Sequence, residues 1–205
     1  MNLKKIHYTS AFFLFIFICL HLWNHSFGIL GGSAHVQIMS QLRVLYRNAI
    51  FESILILSVV VQIYTGFRLF FRKRKNQKTF YEKIQNWSGL YLSFFFLNHL
   101  GAVFVGRWVL DLDTNFFFGI AGLNLFPWNL FFIPYYFLAI VSFFGHLASI
   151  HNQKMQKYVL GVSPLTQTHF ILGIGILFSF YIIFGFTNQF QGYEIPLEYQ
   201  FLMGR

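Results

Sequence analysis

Five stretches of about 20 predominantly apolar residues run through this chain of 205 residues, and an α-helix needs that length to cross a hydrocarbon layer. They cover residues 8–30, 49–71, 86–106, 127–150 and 166–186. Because 56% of the residues are hydrophobic and only 10% are charged, a soluble fold of this size could not bury its apolar surface. The sequence therefore predicts an all-α integral membrane bundle of five transmembrane helices, forming a single domain over residues 1–205.

The basic residues indicate how this bundle is oriented. The formal net charge is +9, and ten of the fifteen Lys and Arg residues fall in segments that one membrane face would hold. These ten are Lys4, Lys5, Arg72, Lys73, Arg74, Lys75, Lys78, Lys83, Lys154 and Lys157. Since Lys and Arg are enriched in cytoplasmic loops, we expect the N-terminus in the cytoplasm and the C-terminus outside. The charge is explained in this way without a nucleic-acid partner.

Three histidines, His21, His99 and His146, lie deep in separate apolar stretches. An ionisable side chain at such a depth costs roughly 2–3 kcal/mol on insertion scales, which favours a functional explanation. In the predicted orientation the first and third helices both run outward, so His21 and His99 share a level in the outer half of the bilayer. Two such imidazoles are typical axial ligands of a b-type haem, and the alternative is an interhelical hydrogen-bonding role.

A second level is predicted in the inner half of the bilayer. The second and fourth helices run inward and bring Gln62 and His146 to one depth. An amide is a poor iron ligand, so this level looks incomplete as a haem site. Either no haem binds there and the two side chains hydrogen-bond each other, or the iron is five-coordinate or takes a second ligand from elsewhere.

The other polar residues carry weaker signals. His25 lies one helical turn beyond His21 and is the rival for the outer ligand position. Arg68 and Tyr64 are candidate quinone contacts and Glu52 is a candidate for handling quinol protons, although ordinary interfacial positions explain all three more simply. Four histidines are expected at helix ends or in loops, where water or headgroups satisfy an imidazole. They are His7, His35, His151 and His169.

Short motifs in the first four helices resemble a known family. They are His21-Leu-Trp-Asn in the first helix, Gln62 four residues before Gly66 in the second, Asn98-His99 in the third, and Phe-Phe-Gly-His146 in the fourth. Their order resembles the cytochrome b subunit of succinate dehydrogenase and fumarate reductase, of the five-helix, single-chain type with two haems. The resemblance extends over nearly the whole chain in helix number, orientation and ligand order.

The resemblance implies a set of cofactors and partners. His21 and His99 would ligate the haem b distal to the catalytic subunits, and His146 would ligate the proximal haem b. Gln62 departs from the family pattern because it stands where the family has its other proximal histidine, so one haem is expected and a second depends on another ligand. A flavoprotein and an iron-sulfur protein would bind on the cytoplasmic face of a bacterial inner membrane and exchange electrons with a membrane quinone. The succinate or fumarate reaction would belong to the flavin of that complex.

Two other kinds of protein remain open at this point. One is a haem-free helical bundle, either an assembly or anchor subunit or a small transporter. The other is a bis-histidine membrane cytochrome of the kind that serves hydrogenases or formate dehydrogenases. Five helices with the residues in this order favour the succinate and fumarate family.

Overall fold

The computed structural model describes residues 3–200 and 204, which form a helical bundle. Its α-helices are α1 (Leu3–Ser26), α2 (Gly32–Tyr46), α3 (Ala49–Lys73), α4 (Phe80–Phe104), α5 (Phe116–Asn124), α6 (Asn129–Lys154), α7 (Pro164–Phe186) and α8 (Leu197–Gln200). A 3-10 turn at Phe27–Leu30 continues α1, and a π-turn at Val105–Val109 continues α4. Among the described residues, five helices are long and apolar enough to cross a membrane, namely α1, α3, α4, α6 and α7. The predicted fold class is confirmed.

Polar caps explain why several helices begin outside the apolar stretches. The helix α4 begins at Phe80, before the predicted start at residue 86, because Thr79 and Glu82 form a capping box. The Glu82 amide donates to the Thr79 hydroxyl at 3.2 Å, and the Glu82 carboxylate accepts from the Thr79 amide at 3.0 Å. Such reciprocal bonds satisfy two free amides at a helix start and let the helix extend into the polar region of the membrane.

The spanning helices pack as a series of neighbours. Helix α1 packs on α3, α3 on α4, α4 on α6, and α6 on α7, and the 3-10 turn after α1 returns to α7. Glycine permits the close approach at this return, because a Cβ on Gly185 would lie 2.7 Å from the backbone nitrogen of Ile29. A Cβ on Gly66 would likewise collide with the Ser93 hydroxyl, so α3 and α4 approach closely there.

Helices α2 and α5 lie where the sequence predicts loops, and together with α8 they cover one end of the bundle. Gly31, with a φ of 101°, turns the chain after the 3-10 turn, and the 15-residue α2 that follows is too short to span a bilayer. Arg43 of α2 and Arg47, which follows the end of that helix, pair with Asp113 at 2.9 and 3.6 Å. Tyr199 donates its hydroxyl proton to the Asp113 carbonyl at 3.0 Å. We call this end, with α2, α5 and α8, the cap end.

The most deeply buried apolar cluster lies beneath the cap. Phe116 and Ile120 of α5 pack there with Ile182 and Ile183 of α7. Along the rest of their length the spanning helices leave large apolar side chains exposed, as expected for surfaces that contact lipid. We call the opposite end, where α1 begins and the loop between α3 and α4 lies, the basic end.

Candidate functional site

His21 of α1 and His99 of α4 face each other in the half of the bundle nearer the cap end. Their ring centroids are 6.1 Å apart and their planes are inclined by 70°. Phe17, one turn before His21, stacks on that imidazole at 5.3 Å, and Phe95, one turn before His99, stacks at 5.2 Å. Aromatic neighbours on the same helix face thus orient both rings. The structure brings together the two histidines that the sequence predicts at one level.

The His21 and His99 imidazoles make no hydrogen bond with any residue in the described part of the chain. A hydrogen-bonded imidazole pair elsewhere in this protein gives the comparison, because His25 and His35 have centroids 5.2 Å apart with ring nitrogens at 2.9 Å. The wider His21–His99 pair is therefore not an interhelical hydrogen bond. Its ring nitrogens remain available to bind another group.

His25 belongs to a neighbouring polar cluster with His35 and Asn24. The Asn24 side-chain nitrogen, which only donates, lies 3.2 Å from His35 Nε2, so His35 Nε2 accepts. His25 Nδ1 lies 2.9 Å from the same atom. The His25 ring is only 4.2 Å from that of His21, but its own hydrogen bond points toward the cap. His21 is the imidazole that faces His99.

The prediction that His35 is a surface residue is wrong. Its side chain is 2% exposed, because α2 is a helix that folds back over α1 rather than part of an open loop. Burial, and then the positive charge of Arg43, lower the pKa of His35 to about 4. The imidazole is therefore neutral at physiological pH. Its Nδ1 is buried without a hydrogen-bond partner in the structure, as is the Asn24 side-chain oxygen.

Gln62 joins α3 to α1 in the half of the bundle nearer the basic end. Its side-chain nitrogen donates to the His7 carbonyl and to the Ser10 hydroxyl, both at 2.7 Å. His146 instead directs its Nδ1 to the Gln85 carbonyl of α4 at 3.1 Å. The alternative in which Gln62 and His146 hydrogen-bond each other is therefore wrong.

A cavity of about 620 Å³ opens between α1, α3, α4 and α6 at this level. Gln62, His146 and His7 all line it. The expectation that His7 is a surface residue is wrong, since its Nδ1 lies 2.8 Å from the Thr65 hydroxyl inside the bundle. The sequence does hold a signal for this position: His7 precedes His21 by 14 residues, close to four helical turns, and so shares a face of α1 with it.

Glu52 and the candidate quinone contacts Arg68 and Tyr64 interact with side chains of this chain. Glu52, in the first turn of α3, forms a partly buried ion pair with Arg107 in the π-turn after α4. Arg68 donates to the Tyr64 hydroxyl at 3.2 Å on the exposed face of α3. These contacts match the simpler explanations for both groups.

Two further histidines lie near the basic end. His151 is partly buried and joins α6 to α7, with Nδ1 3.0 Å from the Thr168 hydroxyl and Nε2 3.0 Å from the Gln167 side-chain oxygen. The expectation of a surface residue holds for His169, which is exposed on α7. His169 is consequently a suitable control position for histidine substitutions.

The fold defines a multi-pass α-helical membrane protein with two levels of histidines between its helices. No family model, curated protein or solved structure matches the chain. Among the residues that the structure describes, no three His, Cys, Asp or Glu side chains are grouped so that they could hold a metal ion.

Proposed function

We propose that this chain is the membrane-anchor cytochrome b subunit of a complex like succinate dehydrogenase or fumarate reductase, with a b-type haem held by His21 and His99. The observation that carries the proposal is the pair of unbonded imidazoles that face each other from α1 and α4 at 6.1 Å. Ionisable side chains inside a membrane bundle usually have a partner, and an iron atom between the two rings would supply one.

The residues present fit a haem. Two imidazoles that bind one iron from opposite sides, each at about 2 Å, have ring centroids roughly 6 Å apart. The observed 6.1 Å agrees with that value. The porphyrin supplies four of the six iron ligands, so a haem needs only two protein ligands and no larger cluster of metal-binding side chains.

A bound haem would supply a one-electron redox centre within the membrane. The residues of this chain would hold and orient it, through His21 and His99 and through the stacked rings of Phe17 and Phe95. The apolar side chains of the spanning helices would exclude water. Electrons would pass between a membrane quinone and the partner proteins of the complex.

The partners would bind at the basic end. Exposed cations cluster there from the end of α3 through the following loop to the start of α4, at Arg72, Lys73, Arg74, Lys75, Lys78 and Lys83. Because such clusters mark the cytoplasmic side of membrane proteins, we place this end in the cytoplasm of a bacterium, with the cap end outside. A flavoprotein and an iron-sulfur protein that act on succinate or fumarate would then meet the anchor on the side where those substrates occur.

The experiment is a measurement of haem on the full-length chain purified from membranes in detergent. We expect a b-type reduced-minus-oxidised spectrum, and we expect His21→Ala and His99→Ala each to lower the haem content by one per chain in a pyridine haemochrome assay. His25→Gln leaves His21 and His99 unchanged and is expected to retain the haem. The matched control is His169→Ala, which removes an exposed imidazole.

A colourless wild-type protein would refute the cytochrome proposal. If the His21→Ala and His99→Ala chains also kept the fold of the wild type by circular dichroism, the haem-free bundle would be the better description. Loss of haem in His25→Gln but not in His21→Ala would move the ligand to the rival position and contradict the assignment made from the ring geometry.

A further inference from the structure

The cavity near the basic end contains two imidazoles on different helices, His7 of α1 and His146 of α6. Its volume of about 620 Å³ lies within the range of about 300–1,000 Å³ that is typical of cofactor and ligand sites. Gln62, the residue predicted to face His146, is occupied by its two bonds to α1. His7 is therefore the second nitrogen donor at this level, besides His146.

The hydrogen bonds of His7 determine which of its ring nitrogens is free. The Thr65 hydroxyl has one proton and donates it to the Val61 carbonyl at 2.6 Å. The same hydroxyl oxygen must then accept from His7 Nδ1, at 2.8 Å. In the neutral imidazole this leaves His7 Nε2 unprotonated and able to bind a metal ion.

The same tautomer follows for His146. Its Nδ1 lies 3.1 Å from the Gln85 carbonyl, which can only accept, so Nδ1 carries the proton. In the neutral imidazole His146 Nε2 is therefore unprotonated as well. Metal-binding histidines have this arrangement, in which the ring N–H donates to a carbonyl or similar acceptor and fixes the other nitrogen as the ligand.

Two other features of the cavity favour a large anionic cofactor. Lys4, Lys73 and Lys154 line it at the basic end, and their ammonium groups would complement the two propionate carboxylates of a haem. Gly89 leaves room beside the second imidazole, because a Cβ there would lie 3.2 Å from His146 Cε1. A larger residue at Gly89 would force that ring to move.

We propose that His7 and His146 are the axial ligands of a second b-type haem in this cavity, with His7 serving where Gln62 cannot. This inference rests on the proposed function, since it assumes that the chain binds haem at all. The role of Gln62 is then to position α1, because its bond to the His7 carbonyl fixes the backbone that carries the ligand.

The test is the haem content and spin state of the full-length chain, by pyridine haemochrome assay and electron paramagnetic resonance. We expect two haems per chain, both low-spin, and a redox titration with two midpoints. His7→Leu is expected either to lower the content to one haem or to leave a second haem that is high-spin and binds carbon monoxide. His7→Met keeps a ligand of similar reach and is expected to raise the potential of one haem only, as methionine and histidine ligation does.

Control variants separate this inference from the proposed function. His169→Leu removes an exposed imidazole and is expected to match the wild type. A wild-type content of one haem that is unchanged in His7→Leu and lost in His99→Ala would overturn the second site and leave the proposed function standing. Two low-spin haems that persist in His7→Leu would also overturn it, and a content of zero would refute both proposals.

Discussion

Acidification is expected to release α2 from the bundle, because His35 binds a proton more weakly when α2 is docked than when α2 is released. Burial and the nearby Arg43 charge lower the pKa of His35 to about 4, whereas an unfolded histidine titrates near 6.5. His25, the other titratable group that faces it, is held by the hydrogen bond between the two rings. Above pH 6.5 the His35 imidazole is neutral whether α2 is docked or released, so this residue adds no pH dependence there.

The magnitude follows from the difference between those two pKa values. As the pH falls from 6.5 toward 4, the released form binds the proton more tightly, and docking loses about 1.4 kcal/mol per pH unit. The total loss is about 3 kcal/mol near pH 4, below which it levels off. That is enough to lower the docked-to-released ratio more than a hundredfold.

Hydrogen exchange of the α2 amides in detergent micelles measures this effect. After correction for intrinsic exchange, protection in the wild type is expected to fall between about pH 6.5 and about pH 4 while protection in α3 stays high. His35→Gln retains a hydrogen-bonding side chain that does not titrate, and its profile should be flat. His169→Gln should follow the wild type. Parallel loss of α2 protection in wild type and His35→Gln would refute the reasoning.

Three further predictions concern contacts between helices. Gly185→Ala places a Cβ 2.7 Å from the backbone of the 3-10 turn and is expected to destabilise the bundle by about 1–3 kcal/mol in thermal unfolding, whereas Gly173→Ala, which meets nothing within 4 Å, is the neutral control. Gln62→Leu removes two hydrogen bonds to α1 and is expected to cost about 1–3 kcal/mol by the same measurement, so an unchanged melting temperature would contradict that role. A double-mutant cycle of Glu52→Gln and Arg107→Gln is expected to give a coupling of about 1 kcal/mol, since both side chains keep about a fifth of their surface exposed; additive effects would mean that the ion pair adds nothing.

The sequence predicted the spanning helices well and the polar connections poorly, for a physical reason. Length and hydropathy determine which segments can cross a bilayer, and His21 and His99 met at one level because helix rise converts position into depth. The burial of His35 could not be derived in that way, because it depends on α2 folding back over the end of α1. His7 was misplaced because α1 begins at Leu3, before the apolar stretch that defined the helix.

One helix would carry a ligand of each haem in the proposed arrangement, and this has an electrical consequence. His7 and His21 are 14 residues apart on α1, which corresponds to about 21 Å along the helix axis, or roughly two thirds of a hydrocarbon layer of about 30 Å. An electron that moves between the two levels would therefore cross about two thirds of the membrane potential. That movement is worth about 1.5 kcal/mol per 100 mV.

This coupling gives a prediction that a single haem would not produce. In proteoliposomes that contain the purified chain, an imposed potential of 100 mV is expected to shift the difference between the two haem midpoints by about 70 mV, in a direction set by the sign of the potential. The His7→Leu chain is the matched control, because it keeps His21 and His99, the proposed ligands nearer the cap end. Equal shifts of both haems would mean that they lie at one depth, which the helix geometry of α1 does not allow.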